Sequence, residues 1–348
     1  MTVYAQRRKR LLSLAKGKQV AVFTAPNLFY LTDFFGGGAA IVHPDKTEVF
    51  TTPLEADRAY EVSKEAEISV VKRSTDLVKE VAARLETGVT VVDQAGLRVK
   101  SPRFTPIEGL FLEARRAKDV VEIERIRKTC AGTDRVFTEL EKELRPGRTE
   151  WELAASVMKV ATEQEMTPSS SDSSMGPIII ASGPHGAFGH SELSARRLRT
   201  GDFVVADLFF RSEGYHSDET RTFAIGSVSP EMKKHYAVVR EAQEAALDSA
   251  REGVACGSVN DAAVNVLRKY GVDRYLNHSI GHGVGIDIHE LPKITQGSRV
   301  KLVRDDVITD EPGIYLVGKY GVRIEDTVLV VRRPAVLTKF TKDLVTCG

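Results

Sequence analysis

Residues 281–292 read GHGVGIDIHELP and place His282 and His289, two of the chain's eight histidines, seven positions apart among three glycines. A helix that binds zinc through two histidines spaces them three or four positions apart, on one face. The wider spacing and the glycines instead predict a turn or a strand, with both imidazoles projecting from irregular backbone. The function of this stretch depends on the side chains that the fold brings to it.

A carboxylate interrupts the apolar run FVVADLFF, where Asp207 would be costly without a cation or several hydrogen bonds. Downstream, Ser212 and Glu213 have the composition of a two-residue turn, which predicts a hairpin. A turn at these two residues places Asp207 opposite Asp218. Like charges that face each other destabilise a sheet, so this pairing predicts a cation between them.

A second hairpin repeats the arrangement in the segment EPGIYLVGKYGVRIEDTVLV. A turn centred on Gly318 places Glu311 opposite Glu325. Together the hairpins supply four carboxylates, and one imidazole from His282 or His289 makes five ligands. This number of anionic oxygens exceeds the needs of one divalent ion and suits two ions that share bridging carboxylates. Oxygen-rich ligation with one nitrogen favours manganese or cobalt, with zinc and iron as alternatives.

The composition is that of an ordinary globular protein. A length of 348 residues exceeds one ordinary core and predicts two domains. The 49 basic and 48 acidic residues give a net charge of +1, so we expect neither nucleic acid nor a membrane surface as a partner. In the sequence, no run approaches the roughly 18 apolar residues of a membrane span.

The cysteines and the N-terminus indicate a reducing compartment. Cys130, Cys256 and Cys347 are scattered, odd in number, and form no CxxC pair. We therefore expect neither a disulfide framework nor a zinc site built from cysteines. The basic N-terminus is not followed by an apolar core of signal-peptide length, so we expect a cytoplasmic protein.

Two kinds of sequence pattern divide the chain. Strand-like runs first alternate with helical periodicity at 54–66 and 75–86, which predicts an α/β domain over residues 1–115. The strand-like runs in this part are QVAVFT, AAIVHP, TEVFTT, ISVVKR and VTVVDQ. Residues 111–145 then read as one long, charge-laced helix, and residues 116–348 form the second predicted domain.

The second predicted domain mixes helices with strands, so the whole chain is expected to be α+β. Helical patterns at 149–164, 230–250 and 258–270 separate the strand-like runs PIIIAS, FVVADLFF, TFAIG, GIYLV and DTVLVV. The polar segment 168–175 is expected to be a surface loop, with a lid over a site as the alternative.

Five motifs, taken in order, resemble the pita-bread metallopeptidases, which include methionine aminopeptidase, aminopeptidase P and prolidase. They are VVADLFF, YHSDETRT, HSIGHGVGIDIHELP, EPGIY and VRIEDTVLV, and the match covers about residues 116–348. The resemblance implies a pita-bread domain with a curved antiparallel sheet and flanking helices. It also implies the metal ligands, which are Asp207, Asp218, His282, Glu311 and Glu325.

Two features favour the proline-specific branch of this family. The first 115 residues, including NLFYLTDF, resemble the creatinase-like α/β domain that methionine aminopeptidases generally lack. Arg323, two positions before Glu325, also matches the proline-specific members. Because all five ligands are present, a non-catalytic peptide-binding relative is disfavoured. A hydrolase of esters or organophosphates is a third alternative, as a side activity of such a site.

Within this branch, the compact length and the 14-residue gap between Glu311 and Glu325 resemble a microbial prolidase, which hydrolyses Xaa-Pro dipeptides. Aminopeptidase P, which acts on longer Xaa-Pro- peptides, is the alternative. The resemblance implies that a metal-bridging hydroxide attacks the scissile carbonyl while Glu311 shuttles a proton. It gives His190 and His289 catalytic hydrogen bonds, and it makes His278 and Arg323 substrate contacts.

One loop departs from the family pattern. Where members commonly carry Asn-Ser-Ala-Xaa-Pro-His, this chain reads GPHGAFGHSE, so His185 takes the asparagine position and Gly189 the proline position. The role of His185 is left open, and His216 and His235 are expected to be structural. The resemblance further implies a homodimer that acts on a proline-containing dipeptide or short peptide. The native metal and the preferred residue before proline stay open.

Overall fold

The computed structural model describes residues 1–86, 88–94, 96–97, 102–169 and 178–348. These residues divide into two compact units, Met1–Arg116 and Ala117–Gly348. Most of the polar segment predicted at 168–175 lies outside the described residues. Among the described helices, none combines the length and the apolar character that crossing a bilayer requires.

The first unit contains one six-stranded sheet with helices, as expected for an α/β domain. Its strands are β1 (Gln19–Val22), β2 (Gly38–Val42), β3 (Thr47–Thr51), β4 (Ala66–Val70), β5 (Thr90–Val92) and β6 (Phe104–Pro106). Its helices are α1 (Val3–Leu14), α2 (Ala25–Thr32), α3 (Pro53–Val62), α4 (Leu77–Arg84) and α5 (Glu108–Arg116). The strand order is β4-β3-β2-β1-β5-β6, and β3–β4, β1–β5 and β5–β6 are parallel pairs. The five predicted strands and two predicted helices are all present, whereas α1 and α2 were not predicted.

The second unit combines four long helices with short strands. Its helices are α6 (Val120–Glu143), α7 (Glu150–Glu163), α8 (Pro230–Ser249) and α9 (Cys256–Lys269). The strands up to α8 are β7 (Thr167–Pro168), β8 (Ile178–Ser182), β9 (Phe203–Leu208), β10 (Phe210–Ser212), β11 (Tyr215–His216) and β12 (Glu219–Ile225). The later strands are β13 (Gly281–Gly283), β14 (Glu290–Ile294), β15 (Val307–Asp310), β16 (Gly313–Leu316), β17 (Tyr320–Arg323), β18 (Asp326–Leu329), β19 (Ala335–Val336) and β20 (Thr346–Cys347).

The single helix predicted over 111–145 is wrong, because the chain forms two helices there. Helix α5 ends at Arg116 and α6 begins at Val120. Between them, Asp119 Oδ1 accepts hydrogen bonds from the amides of Val121 and Glu122 at 2.9 and 3.0 Å. Glu122 Oε2 in turn accepts from the amide of Asp119 at 2.9 Å. This capping box satisfies the free amides of a new helix start and so separates the two helices.

The sheets of the second unit lie between pairs of helices. Strands β20-β12-β9-β8 form one sheet and β14-β13-β15-β18-β19 another, with β16–β17 as a separate hairpin. Val239 and Ala263 of α8 and α9 belong to the same buried apolar cluster as Ile308 and Val328 of the second sheet. Another buried cluster joins α6 and α7 to β8, β9 and β12. The flanking helices of the predicted fold are therefore present, and their apolar faces hold both sheets.

The first predicted hairpin exists, but its predicted register is wrong. Ser212 pairs with Tyr215, so Glu213 and Gly214 form the two-residue turn, with φ values of 48° and 84°. Positive φ at both turn positions suits a type I′ turn, which glycine readily adopts. The shift pairs Asp207 with Thr220 instead of Asp218. Asp218 precedes Thr220 by two positions, which places it on the same face of the sheet as Asp207.

The second predicted hairpin has the predicted register. Asp310 pairs with Asp326 in one ladder and Gly313 with Arg323 in the next. Glu311 and Glu325 lie between these pairs, across from each other. An isolated bridge from Thr220 to Glu325 joins this hairpin to the sheet that carries Asp207, with the Glu325 amide 3.1 Å from the Thr220 carbonyl oxygen. The two carboxylate hairpins are thereby brought together.

Candidate metal centre

Three side chains of the second unit converge closely enough to share one metal ion. Asp218, His282 and Glu325 each offer a ligand atom, and these atoms all lie within 4.8 Å of one another. Asp218 immediately precedes β12, His282 lies in β13, and Glu325 lies between β17 and β18. Because these residues are distant in the sequence, the fold assembles the cluster. One carboxylate from each predicted acidic pair and one imidazole of the predicted ligand set meet here.

Backbone contacts set the tautomer of His282. Its Nδ1 lies 3.0 Å from the carbonyl oxygen of Gly283, which only accepts, so Nδ1 carries the proton. Nε2 then presents a lone pair 3.6 Å from Asp218 Oδ2 and 3.7 Å from Glu311 Oε1. Burial, and next the neighbouring His289, lower the pKa of His282 to about 3. The ring is therefore neutral at physiological pH, as a metal ligand must be.

Asp207 and Glu311 complete the group of carboxylates. Asp207 Oδ2 accepts a hydrogen bond from Arg323, while Oδ1 is buried without a hydrogen-bond partner among the described residues. An unpaired buried carboxylate oxygen is costly unless a cation binds it. Burial raises the pKa of Glu311 to about 8, and repulsion from Asp207 adds to this effect against the opposing influence of Arg323. Both observations fit a cation at this position.

The charge balance of the cluster fits more than one cation. Burial, followed by repulsion from neighbouring carboxylates, raises the pKa of Asp218 and of Glu325 well above the ordinary values. With Asp207 and Glu311, the centre holds four carboxylates. The positive charge of Arg323 interacts with each of them. When all four carboxylates are ionised, four negative charges against one positive charge leave an excess that two divalent ions can balance.

Three threonines support the centre, and sequence reasoning missed them. Thr220 Oγ1 donates to Glu325 Oε2 at 2.6 Å, and Thr309 Oγ1 accepts from the amide of His282 at 3.1 Å. Thr327 Oγ1 donates to the carbonyl oxygen of Asp218 at 2.7 Å. Each threonine lies two positions from a predicted carboxylate ligand, which in a strand means the same face. That spacing was the sequence signal available for finding them.

Arg323 lies behind Asp207 and is 3% exposed. Its Nη1 donates to Tyr315 Oη at 2.7 Å and to the Gly189 carbonyl oxygen at 3.1 Å, and Nε donates to Thr220 Oγ1 at 3.1 Å. These contacts all lie within the protein. The remaining hydrogen bond of the buried guanidinium goes from Nη2 to Asp207. The structure therefore shows Arg323 holding Asp207 from within the protein, and its contact with a substrate stays a prediction.

His278 continues this network through Tyr315. Its Nδ1 donates to the carbonyl oxygen of Ser279 at 2.7 Å, and Nε2 lies 2.9 Å from Tyr315 Oη. Burial, and next the charge of Arg323, lower the pKa of His278 to about 4. A neutral ring with a protonated Nδ1 accepts at Nε2, so Tyr315 donates to it. Both ring nitrogens of this predicted substrate contact are used within the protein.

The two predicted catalytic histidines, His190 and His289, are exposed beside the candidate ligands. The ring centroids of His282 and His289 lie 4.3 Å apart at an angle of 57°. Burial of part of the ring, and next the charge of His190, lower the pKa of His289. His190 also acts on His278, so these imidazoles surround one region. The arrangement provides hydrogen-bond donors beside the carboxylate cluster.

His185 belongs to a different network. Its Nδ1 lies 3.3 Å from Oε2 of Glu150, a fully buried carboxylate at the start of α7. The same carboxylate accepts from the hydroxyls of Ser182 and Ser194, both at 2.7 Å. The ring is thus part of the support for the loop that precedes His190.

The other two histidines that were expected to be structural make internal contacts. His216 donates its amide to the Gly285 carbonyl oxygen at 2.9 Å, and His235 Nδ1 lies 3.0 Å from Tyr320 Oη. Burial lowers the pKa of His216 to about 4. These contacts agree with structural roles.

Lys293 is a basic residue at the site that sequence reasoning did not identify. It pairs with His282 across β13 and β14, so both side chains lie on one face. Its positive charge contributes to the lowered pKa of His289. The side chain is exposed and has no ion-pair partner within the described ranges. The alternation of side chains along β14 was the available sequence signal. It does not reveal which residue lies opposite His282, because the pairing of β14 with β13 contains a bulge after His282.

Comparisons with known proteins agree with this geometry. The sequence model of metallopeptidase family M24 matches residues 124–332, and that of the creatinase/prolidase N-terminal domain matches residues 7–117. A Xaa-Pro dipeptidase of Pyrococcus furiosus is 34% identical over 330 residues, which cover 92% of each chain. The crystal structure of the prolidase from Pyrococcus horikoshii superposes with a TM-score of 0.88 at 29% identity, over 98% of this chain and 100% of that one.

A third relative represents the alternative branch. The X-Pro aminopeptidase from Thermotoga maritima superposes with a TM-score of 0.87 at 27% identity, over 97% of this chain and 99% of that chain. The predicted family and α+β fold class are thus confirmed for both parts of the sequence. This chain belongs to metallopeptidase family M24 and is a metal-dependent peptidase.

Proposed function

We propose that this protein is a prolidase that uses two divalent metal ions to hydrolyse Xaa-Pro dipeptides. The observation that carries the proposal is the convergence of four carboxylates and one neutral imidazole around a single guanidinium. The relatives named Xaa-Pro dipeptidase and prolidase support the choice of substrate.

In this proposal the predicted ligands divide between two ions. Asp207, Asp218, His282, Glu311 and Glu325 would hold these ions. Manganese or cobalt suits a set with four carboxylates and one nitrogen, and zinc or iron is the alternative. When bound, such ions polarise a carbonyl oxygen and lower the pKa of water.

The side chains around the ions supply the remaining chemistry. Glu311 takes a proton from the attacking water and passes it to the leaving nitrogen. His190 and His289 donate hydrogen bonds to the oxygen that becomes negatively charged as the peptide bond is attacked. Arg323 keeps Asp207 oriented through a buried ion pair.

Lys293 explains how a dipeptide is distinguished from a longer peptide. In an Xaa-Pro dipeptide the C-terminal carboxylate belongs to the proline itself, so it lies close to the scissile bond. The exposed ammonium of Lys293, on the strand paired with that of His282, can form an ion pair with this carboxylate. Arg323 is buried, and its hydrogen bonds go to groups of the protein. A longer peptide has a neutral amide at the same position and gains no ion pair.

A metal-reconstituted activity panel tests the proposal. We expect the protein loaded with Mn²⁺ to release proline from Ala-Pro with a kcat/KM at least about tenfold higher than for Ala-Pro-Ala, since an ion pair of about 1.4 kcal/mol is worth that factor. A preference for Ala-Pro-Ala would assign the aminopeptidase P activity instead. Hydrolysis of neither peptide would contradict both.

The Lys293→Ala variant tests the origin of this preference. We expect the KM for Ala-Pro to rise about tenfold, with little change for Ala-Pro-Ala, because only the dipeptide carboxylate loses its partner. Lys301→Ala, which removes a lysine from another exposed segment, is the control. Equal losses on both peptides would show that Lys293 does not select the dipeptide.

Cellular location and assembly are further parts of the proposal. The three cysteines are buried thiols, which supports a reducing cytoplasm. The family resemblance supports a homodimer. Light scattering at micromolar concentration tests the assembly, and a monomeric mass would contradict it.

A further inference from the structure

The loop that carries His289 folds back on itself between β13 and β14. Gly283 pairs with Glu290, while the previous residue, His282, pairs with Lys293, so the register shifts at this point. His289 immediately precedes Glu290. Within the described part of the chain, no hydrogen bond holds the His289 ring, and its nearest ring neighbour is His282 at 4.3 Å between centroids. The backbone of the loop must therefore set the position of the His289 ring.

Glu290 turns its carboxylate into this loop. Oε1 accepts from the amide of Asp287 at 3.1 Å, and Oε2 accepts from Lys118 Nζ at 2.9 Å. The side chains of Lys118 and Glu290 are 0% and 1% exposed. A Cβ at Gly285 would lie 2.6 Å from Oε2, so the glycine makes room for the carboxylate. A buried ion pair thus ties the loop to Lys118.

Lys118 is itself fixed within the second unit. Its amide donates to the carbonyl oxygen of Asp305 at 2.9 Å, and the preceding residue forms a bridge with Asp306. The loop has a second anchor at Gly285, whose carbonyl oxygen accepts from the His216 amide at 2.9 Å. Lys118 therefore connects the loop to a firmly paired backbone.

We propose that Lys118 and Glu290 are positioning residues for His289, and that their buried ion pair keeps the ring beside His282 in the orientation required for catalysis. Neither side chain reaches the reacting atoms. The pair acts through the loop backbone, so its effect on turnover depends on His289. The effect on turnover rests on the proposed function, because the proposed function gives His289 its role in catalysis.

A double-mutant cycle tests the dependence on His289. The variant Lys118→Met/Glu290→Gln removes both charges together, which avoids leaving one buried charge unpaired, and it retains an acceptor for the Asp287 amide. With Mn²⁺ bound, we expect kcat for Ala-Pro to fall at least about tenfold, with bound metal changed less than about twofold. In the His289→Ala background the same two changes should lower kcat less than about twofold. Equal losses in both backgrounds, or no loss, would overturn the proposal.

Hydrogen–deuterium exchange provides a readout that needs no activity. We expect the amides of residues 284–290 to exchange at least about tenfold faster in Lys118→Met/Glu290→Gln, while those of β9 are unchanged. Unchanged exchange in 284–290 would overturn the proposal even if turnover fell. Wild-type protein that hydrolyses no Xaa-Pro peptide would instead contradict the proposed function, and the exchange result would still decide the positioning role.

Two further variants keep the test decisive. Gly285→Ala retains both charges but places a methyl group against Glu290, so we expect the same dependence on His289 if the double variant does not fold. Arg8→Met/Glu65→Gln removes an ion pair of the first unit, with 2.7 Å between Nη2 and Oε2, and is the matched control. This control should leave the exchange of residues 284–290 unchanged, and an equal acceleration there would contradict a local role for Lys118.

Discussion

At the scale of single residues, the chemistry of this centre depends on charges that the protein does not balance by itself. Asp207 has one buried oxygen without a partner among the described residues, and burial raises the pKa of Glu311 to about 8. Both are typical of carboxylates arranged for a cation. A substitution at a ligand should therefore change metal binding before it changes the fold.

We expect Asp218→Asn to lose bound metal and to lower kcat/KM by more than about a hundredfold. Losing an outer-shell partner of a metal ligand costs up to about that factor, and losing a ligand itself should cost more. The metal-free variant should melt no lower than metal-free wild type, because the substitution removes one of several buried like charges. Elemental analysis and thermal unfolding measure both quantities. Retention of metal together with activity would contradict the assignment of Asp218.

We expect His289→Ala to retain the metal and to lower kcat by about 10²–10³, the range for losing one well-placed hydrogen-bond donor. Its exposed ring lies beside His282 without belonging to the convergent ligand group. Kinetics with parallel elemental analysis separate the two effects. Loss of stoichiometric metal would exchange the assigned roles of His282 and His289.

The sequence was sufficient to nominate the five ligands, because the order of their motifs is specific. It did not reveal the internal hydrogen-bond partners of Arg323. The hydrogen bonds of Arg323 to Gly189 and Tyr315 connect positions far apart in the chain or on paired strands. Such contacts depend on tertiary packing, which local patterns do not encode.

At the scale of elements, two hairpins and a bridging residue build the site. The sequence predicted both hairpins, but it misplaced the first turn by one residue. Its register depends on which two residues adopt positive φ, and Glu213 does so together with Gly214. The bridge from Thr220 to Glu325 that unites the hairpins is a contact between sheets and has no local sequence signal.

Close packing of β17 tests how the elements position His190. A Cβ at Gly321 would lie 1.8 Å from the carbonyl oxygen of Gly186, in the turn that precedes His190. We expect Gly321→Ala to destabilise the fold by about 1–3 kcal/mol and to lower kcat while metal binding persists. Gly37→Ala, where a Cβ has nothing within 4 Å, is the control. Unchanged stability and kcat in Gly321→Ala would show that this contact does not position the turn.

At the scale of the whole molecule, the carboxylate cluster links stability to pH and metal. Glu311, with a folded-state pKa of about 8, retains a proton that the unfolded chain has already lost. Its contribution to the free energy of unfolding is therefore lost as pH rises toward 8. His282, with a pKa of about 3, acts in the opposite direction, but only below its ordinary value of 6.5. The window between pH 6.5 and 8 therefore reports on the carboxylates.

We expect metal-free protein to lose about 2 kcal/mol of stability between pH 6.5 and 8, from the 1.36 kcal/mol that corresponds to one pKa unit. Bound Mn²⁺ should remove this loss, because the ions favour the ionised carboxylates. Thermal unfolding with chelator and with Mn²⁺ at both pH values measures the effect. A metal-free melting temperature that rises over this window would contradict the described cluster.

We propose that two ions at one carboxylate centre make this chain an Xaa-Pro dipeptidase. The most direct test is proline release from Ala-Pro while metal-free protein is titrated with Mn²⁺. We predict negligible release without metal and a rate that reaches its plateau at two equivalents per chain. A full rate in the presence of chelator, or no release at any Mn²⁺ concentration, would rule out a metal-dependent dipeptidase.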